Sequence, residues 1–328
     1  MDQRSENDNL ICAVDLGGTN LRAANIDAGG RIHQRVKVST PETNNPAEIV
    51  AAIAAVVREC ESSCLKSGAR IQAVSVVVPG SVEVETGLVF NAPNISSLQG
   101  FQLLPALQDE LGRPVLIEND ANAAALGEQW QGAARGCQTI ICLTLGTGVG
   151  GGIVLNGRLW RGADGTAGEI GHSSVEPSGV VCKCGNTGCL EVYASGRAIV
   201  RLTLERRAQH PESSLHDVPV IELTAERVHG AATSGDQLAL DVFRGVGIHL
   251  GIVMASLVNI FNPEMIVVGG GVSAAWDLFG EHVRTEVMKR AFPVPAQRCR
   301  IMRAECGDDA GLLGAARLVL ERGDLPPL

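Results

Sequence analysis

His172, Cys182, Cys184 and Cys189 place one imidazole and three thiols within 18 residues. That set matches a closed Cys₃His zinc site, in which four protein ligands leave no position for water. Gly185 and Gly188 permit the tight chain reversal that three neighbouring thiolates require. Buried free thiols are the competing reading. The other seven of the ten cysteines, at positions 12, 60, 64, 137, 142, 299 and 306, sit mostly in apolar runs and read as core. Two acids bracket the loop: Glu169 before Gly171-His172, and Glu191 after Cys189-Leu190. Either is compatible with a plain solvated acid, but a metal in the loop would fix the spacing of both and so build a rigid wall for a polyol.

Four further motifs carry chemistry. Asp15-Leu-Gly17-Gly18-Thr19-Asn20 ends an apolar run with a carboxylate and a double glycine. Such a turn holds a hydrated metal and turns N–H groups to phosphate oxygens, or it is simply a hairpin with an Asp suited to turns. Thr144-Leu-Gly146-Thr147-Gly148-Val-Gly-Gly-Gly152 contains G-x-G-x-x-G. A dinucleotide fingerprint needs a helix next, whereas Ile153-Val-Leu155 continues as strand, so a glycine hairpin around phosphates remains, with a tight turn as its bland counterpart. Val267-Val-Gly-Gly270-Gly271 sends a strand into a triple glycine, suited to close approach of a flat ligand such as a purine or to an ordinary strand-to-helix turn. Glu118-Asn119-Asp120 sits at the mouth of a buried strand, where a carboxylate accepts a hydroxyl proton and an amide orients the hydroxyl. Asn and Asp are equally good helix caps, and one residue can cap while its neighbour does chemistry.

These motifs need elements to position them. Residues 10–15, 21–27 and 32–38 read as strands, the last two joined at Gly29-Gly30. A helix follows from about Pro46, with Ile49, Ile53, Val56 and Val57 at helical spacing. Residues 71–78 form a buried strand stopped by Pro79-Gly80, 115–117 another, and 121–129 a helix. The pattern restarts with strands at 139–145 and 152–155, helices near 195–208 and 235–258, strand 265–268, then helix, strand and a last helix near 309–321. Residues 210–219 read as a surface connection. Two glycine hairpins, each preceded by buried strands, predict an internal duplication: two α/β lobes with a cleft between them.

Composition narrows the classes. Lys+Arg 27 against Asp+Glu 36 gives −9, which lacks the footprint of a general nucleic-acid binder. The four lysines (Lys37, Lys66, Lys183, Lys289) never follow a glycine, so a G-x-x-x-x-G-K-[ST] phosphate loop is absent. The long charge-free run 136–157 has a glycine-rich centre that makes a poor spanning helix. No apolar region follows a basic start, so no signal peptide, no membrane association and a cytoplasmic setting are expected.

Together these residues resemble the ROK family of bacterial sugar kinases, particularly its zinc-containing glucokinases. The resemblance runs from Ile11 to about Leu320 and rests on the segments 15–20, 118–122, 145–152, 168–172 (Gly-Glu-Ile-Gly-His) and 182–191. It implies the actin-like ATPase (ribonuclease H-like) fold, with ATP and Mg²⁺ between two duplicated lobes. The lobes implied are residues 1–119 and 120–308, with a terminal helix at about 309–328 packing back on the first. Asp120 is then the base toward the sugar 6-hydroxyl, beside Asn119, with Asn94, Glu169, His172 and Glu191 contacting the sugar. Asp15 lies near the metal-phosphate; Gly17, Gly18, Thr19, Asn20, Thr144, Gly146, Thr147 and Gly148 surround phosphates; Gly270 and Gly271 approach the nucleoside. Zn²⁺ is structural, and a homodimer or homotetramer is the implied assembly. Relatives often carry Gly-Trp soon after the Pro-Asn pair, whereas here Pro93-Asn94 is followed by Ile95-Ser-Ser-Leu-Gln-Gly-Phe101. The expected activity is ATP-dependent 6-phosphorylation of an aldohexose, glucose first. An N-acetylhexosamine kinase or fructokinase is the alternative within the class, and a sugar-sensing protein without catalysis lies outside it. A repressor would need a DNA-binding module, and only nine residues precede the first strand.

Overall fold

The structure, a computed structural model, describes residues 9–322. Expectations for residues 1–8 and 323–328 concern residues outside that span. The first half contains β1 (Asn9–Leu16), β2 (Asn20–Ile26), β3 (Ile32–Ser39), α1 (Pro46–Ser67), β4 (Arg70–Val78), the short pair β5 (Ser81–Val82) and β6 (Val89–Asn91), α2 (Leu103–Leu111) and β7 (Val115–Asn119). Helix α3 (Asp120–Gln131) leads into β8 (Ile140–Leu145), β9 (Val149–Leu155) and β10 (Arg158–Leu159). After a long loop come α4 (Glu191–Ala194), α5 (Gly196–Arg206), α6 (Ala225–Thr233), α7 (Gln237–Phe261), β11 (Met265–Gly269), α8 (Trp276–Arg290), α9 (Pro293–Arg298), β12 (Arg300–Arg303) and α10 (Ala310–Arg322).

The duplication is visible in the sheets. One runs β3-β2-β1-β4-β7 and the other β10-β9-β8-β11-β12, each with an antiparallel meander followed by two parallel strands. Each central strand is buried on both faces, which is why it reads as a continuous apolar run. Along β1, Leu10, Cys12, Val14 and Leu16 enter the core under α1 and α2, while Ile11 and Ala13 face the opposite way. Along β8, Ile141, Leu143 and Leu145 join the large core with α7 and α8, while Ile140 and Cys142 face back. The residues facing back from both sheets share one core with α3 and α10, so these two helices are sandwiched between the lobes. Helix α7 is the one described helix long and apolar enough to cross a membrane, and it is the centre of the second lobe's core.

Helices α3 and α10 touch backbone to backbone. A Cβ at Gly314 would stand 1.7 Å from the Ala123 carbonyl oxygen, and one at Gly127 2.2 Å from that of Ala310. Three expectations need correction. Strand β9 begins at Val149 rather than at residue 152, because Gly150, Gly151 and Gly152 pair in register with Thr144, Leu143 and Cys142. The loop at 210–219 is anchored: Leu215 and Val218 are buried and Asp236 accepts from both Ser213 and Ser214. Cys299 and Cys306 are only half-buried, unlike the five other cysteines outside the zinc-type cluster.

Gly314→Ala should destabilise the fold by about 2 kcal/mol or more, because a rigid carbonyl rather than a flexible side chain blocks the new methyl group. Urea unfolding checks this; Gly136→Ala, at a site open on all sides but at φ +86°, reports backbone strain alone.

Candidate active site

Strand β7 delivers Asn119 and Asp120 to its carboxyl end, where α3 begins. Asn119 is the cap: its Oδ1 accepts from Asn122 N at 3.0 Å, and its Nδ2 donates to the Gly80 carbonyl (2.8 Å) and to Asp120 Oδ1 (3.1 Å). Glu118 points the other way and is fully buried. Arg161 Nε donates to it at 2.7 Å, and Asn119 N and Asn122 Nδ2 each donate at 3.0 Å. Its charge is therefore neutralised in place, and only Asp120 faces the cleft. Burial, and secondly the nearby Asp15 carboxylate, push the Asp120 carboxyl from 3.8 up to about 7.

Asp15 stands on β1 directly across from Arg22 on β2. Arg22 donates to Asp15 Oδ2 and, through its other terminal nitrogen, to the Asp308 carbonyl at 2.8 Å. Burial raises the Asp15 carboxyl; the guanidinium opposes that. The first turn of α10 passes so close that a Cβ at Gly311 would lie 3.1 Å from Asp15 Oδ2. Arg22 was not among the sequence candidates, although its place seven residues beyond Asp15 across a Gly-Gly hairpin is a usable signal. The hairpin turn is closed by Gly17 N donating to Asn20 O at 2.9 Å and by Thr40 Oγ1 donating to Gly17 O. A Cβ at Gly18 would be 2.8 Å from that of Asn94, so the turn lies directly behind Asn94.

The cleft has a volume of about 470 Å³. It brings together Asn94, Asn119, Asp120, Glu169, His172 and Glu191, with Thr144, Gly146, Thr147, Gly148 and Gly270 on the adjoining wall. Asp15, Gly17, Gly18, Thr19, Asn20 and Gly271 do not line this chamber. Gly271 belongs to a second, more apolar chamber of about 620 Å³ that shares Gly146 and Thr147 with the first. Arg197, Thr224, His229 and Phe243 line it. None of those was identified from sequence, since three helices contribute them and no local motif joins them. Ser81, which donates to Glu169 Oε1 at 3.0 Å, was missed likewise. Residues 95–101 turn inward, with Ile95 and Leu98 buried in the first lobe's core.

The four zinc-type donors converge within 4.8 Å of one another. His172 Nδ1 lies 3.7 Å from Cys182 Sγ, and Cys184 Sγ lies 3.6 Å from Cys189 Sγ. A tetrahedral ion with Zn–S of about 2.3 Å sets neighbouring sulfurs about 3.8 Å apart, so the donor set fits zinc in chemistry and in size. The other imidazole nitrogen of His172 is 3.8 Å from Glu169 Oε2. Glu191 opens α4 just past Cys189 and reaches back to accept from Val149 N at 3.0 Å. Its Oε2 sits 2.4 Å from where a Cβ at Gly148 would be, so the hairpin glycine makes room for this contact.

Two sheets of the same strand order, each with a glycine hairpin, clasping a helix pair beside a cleft, define an actin-like ATPase fold. The chain belongs to the ROK family, whose profile matches residues 11–322. The glucokinase of Halalkalibacterium halodurans is 39% identical over 322 residues, 96% of this chain and 96% of that protein. A ROK family glucokinase from Streptomyces griseus, solved in complex with glucose and AMPPNP, has 38% identity and a TM-score of 0.81, covering 94% of this chain and 98% of that one. A ROK family transcriptional regulator, a homolog of the E. coli MLC protein, has 29% identity and a TM-score of 0.86, covering 95% of this chain and 78% of that one.

The raised carboxyl of Asp120 has a consequence for stability. Between pH 3.8 and about 7 the folded state holds a proton that the unfolded state has released, so stability falls as pH rises through this window. Above about 7 the penalty is complete; below 3.8 it is absent. Asp120→Asn should therefore stabilise the protein at pH 8 by roughly 1–3 kcal/mol, less than the full shift because solvent reaches one side of the carboxylate. The gain should vanish near pH 4 in paired urea titrations.

Proposed function

We propose that the protein is an ATP-dependent sugar kinase that phosphorylates the 6-hydroxyl of an aldohexose, with glucose the first candidate. The observation that carries this reading is the Asp120 carboxylate: set in the cleft, steadied by Asn119, and raised to about 7, where it accepts a proton near neutral pH. Phosphoryl transfer asks mainly for positioning and charge neutralisation, which suits a site with one base and two glycine hairpins. Asn94, Asn119, Glu169, His172 and Glu191 hold the sugar in this proposal, and the apolar chamber beside Gly271 takes the purine. Gly17, Gly18, Thr19, Asn20, Thr144, Gly146, Thr147, Gly148 and Gly270 surround the phosphates. Mg²⁺ belongs near Asp15, whose buried carboxylate supplies a hard oxygen donor; when bound, it neutralises phosphate charge. A cytoplasmic setting, a dimer or tetramer, and lobes divided at residues 1–119 and 120–308 are part of the same proposal. The Streptomyces griseus relative carries glucose and AMPPNP together, which supports this pairing of ligands.

Coupled ADP release against a panel of glucose, N-acetylglucosamine, N-acetylmannosamine and fructose tests the proposal. Glucose should give the highest kcat/KM. Turnover with another hexose would reassign the substrate, and sugar binding without turnover would favour a sensor. Asp120→Asn should lower kcat by at least roughly 10²-fold with little change in glucose affinity. In the unsubstituted enzyme kcat/KM should climb with pH and level off above about 7.

The zinc cluster is proposed to shape the sugar wall rather than to perform chemistry. With Nδ1 of His172 turned to the thiols, the opposite ring nitrogen is left to donate to a sugar hydroxyl. Chelating the metal, or Cys184→Ala, should weaken hexose binding much more than ATP binding. Isothermal titration of each ligand separates the two. Undiminished glucose affinity after quantitative zinc removal would falsify the support role.

A further inference from the structure

A groove of about 970 Å³ opens at the opposite end of α10 from Asp15, bounded by β7, by the β9–β10 turn and by the last turns of α10. It shares no lining residue with the cleft. Four guanidiniums face it, from Arg158, Arg161, Arg317 and Arg322, against two carboxylates, from Glu85 and Glu321. In a chain of net charge −9 this local surplus runs against the molecule as a whole.

Two of these side chains are preset. Arg161 engages only its Nε with buried Glu118, at 2.7 Å, and its side chain is 35% exposed, so its two terminal nitrogens remain available. Arg317 lies over the Trp130 ring at 5.9 Å with its Nε on Glu321, and its terminal nitrogens have no partner among the described residues. The Arg158 side chain is exposed and makes no ion pair or hydrogen bond among the described residues, its backbone being held in β10 opposite Leu155. Strand β7 is the edge of its sheet, paired only with β4, and its buried Val115, Leu116 and Ile117 form the floor of the same groove. Oriented guanidinium forks are donors matched to phosphoryl oxygens, and the volume lies at the upper end of small-molecule pockets.

We propose that this groove binds a small phosphate-bearing anion. The site is separate from the glycine hairpins, and the proposal stands apart from the kinase reading. A bound anion would bridge β7 of one sheet, β10 of the other and α10 between them. Arg161 would tie it, through Glu118, to the turn that carries Asp120.

The test is isothermal titration of the full chain with orthophosphate and, separately, with glucose 6-phosphate in low-salt chloride buffer. A saturable site is expected whose affinity falls at least ten-fold in Arg158→Ala and is lost in Arg158→Glu. Melting temperatures should stay unchanged, because the Arg158 side chain is exposed and has no partner among the described residues. Similar affinities for the two anions would identify free phosphate as the ligand; tighter binding of the sugar phosphate would identify an organic phosphate. Binding indifferent to both substitutions would put the anion in the glycine hairpins and overturn the proposal. Absence of saturable binding by either anion would overturn it too.

Discussion

Helix α3 packs with its backbone in contact on two sides, and the position of Asp120 depends on that contact. On one side are α10 and the carbonyl of Ala310; on the other is β9, where Cβ atoms at Gly150 and Gly152 would strike Ala121 at 2.9 and 2.6 Å. A helix held at this distance from a strand cannot slide without collision, since interiors are close-packed and respond to shifts of one methylene. The first residue of α3 is therefore fixed relative to the second glycine hairpin, although β7, which delivers it, belongs to the other sheet. The glycines of residues 146–152 thus do two different things. Gly148 makes room for Glu191, whereas Gly150, Gly151 and Gly152 let strand, helix and the Gly168 turn approach one another.

The same crossing makes the electrostatics of the site possible. Three carboxylates lie close together around it, and the protein treats each differently. Glu118 is fully enclosed and receives three donors, one of them the Arg161 guanidinium, which gives it a structural place. Asp15 is enclosed beside Arg22, which reaches on to the Asp308 carbonyl just before α10. Asp120 has burial and a like charge nearby but no cation. Its hydrogen bonds from Asn119 and from Ala121 N favour the charged form only in part. Neighbouring carboxyls with divergent environments are suited to separate acid–base roles, and the one without a cation is the one whose carboxyl is raised toward neutrality.

Much of this architecture was legible in the sequence, for a physical reason. Strands buried on both faces leave continuous apolar runs, as in 10–16 and 140–145, and the glycine hairpins that follow them mark the start of each repeat. The zinc-type cluster was legible because its four donors are local, with only the zinc loop between them. What sequence could not supply were partnerships made across the fold. Arg161 finds Glu118 from 43 residues away, and the chamber at Gly271 draws on Arg197, Thr224, His229 and Phe243 from separate helices. The origin of β9 was misjudged for a related reason: three glycines in succession look like a loop until the register with β8 pairs them. Glycine there answers to the helix that lies across the strand, a neighbour no local pattern reveals.

Glu191 joins the zinc-type loop to the rest of the site. It follows Cys189 by two residues, so any ligand that fixes the thiols also fixes the start of α4. From there its carboxylate spans to Val149 N, at the far side of the second hairpin. Gly196, at the start of α5, donates its N–H to the Gly146 carbonyl at 2.8 Å, closing the other side of the same turn. The hairpin is thus held at both ends by the segment that leaves the cysteine cluster. It cannot relax unless α4 and the first turn of α5 move with it. A second strut comes from α7, where His249 stacks on Tyr193 at 4.4 Å while the Tyr193 hydroxyl accepts from Val180 N within the loop. The loop is therefore braced against the long helix at the centre of the second sheet's core independently of any metal. A metal held by these four donors would add rigidity to a segment already aimed, and the stiffness would pass to the cleft through Glu191 and His172 and to the hairpin through Val149.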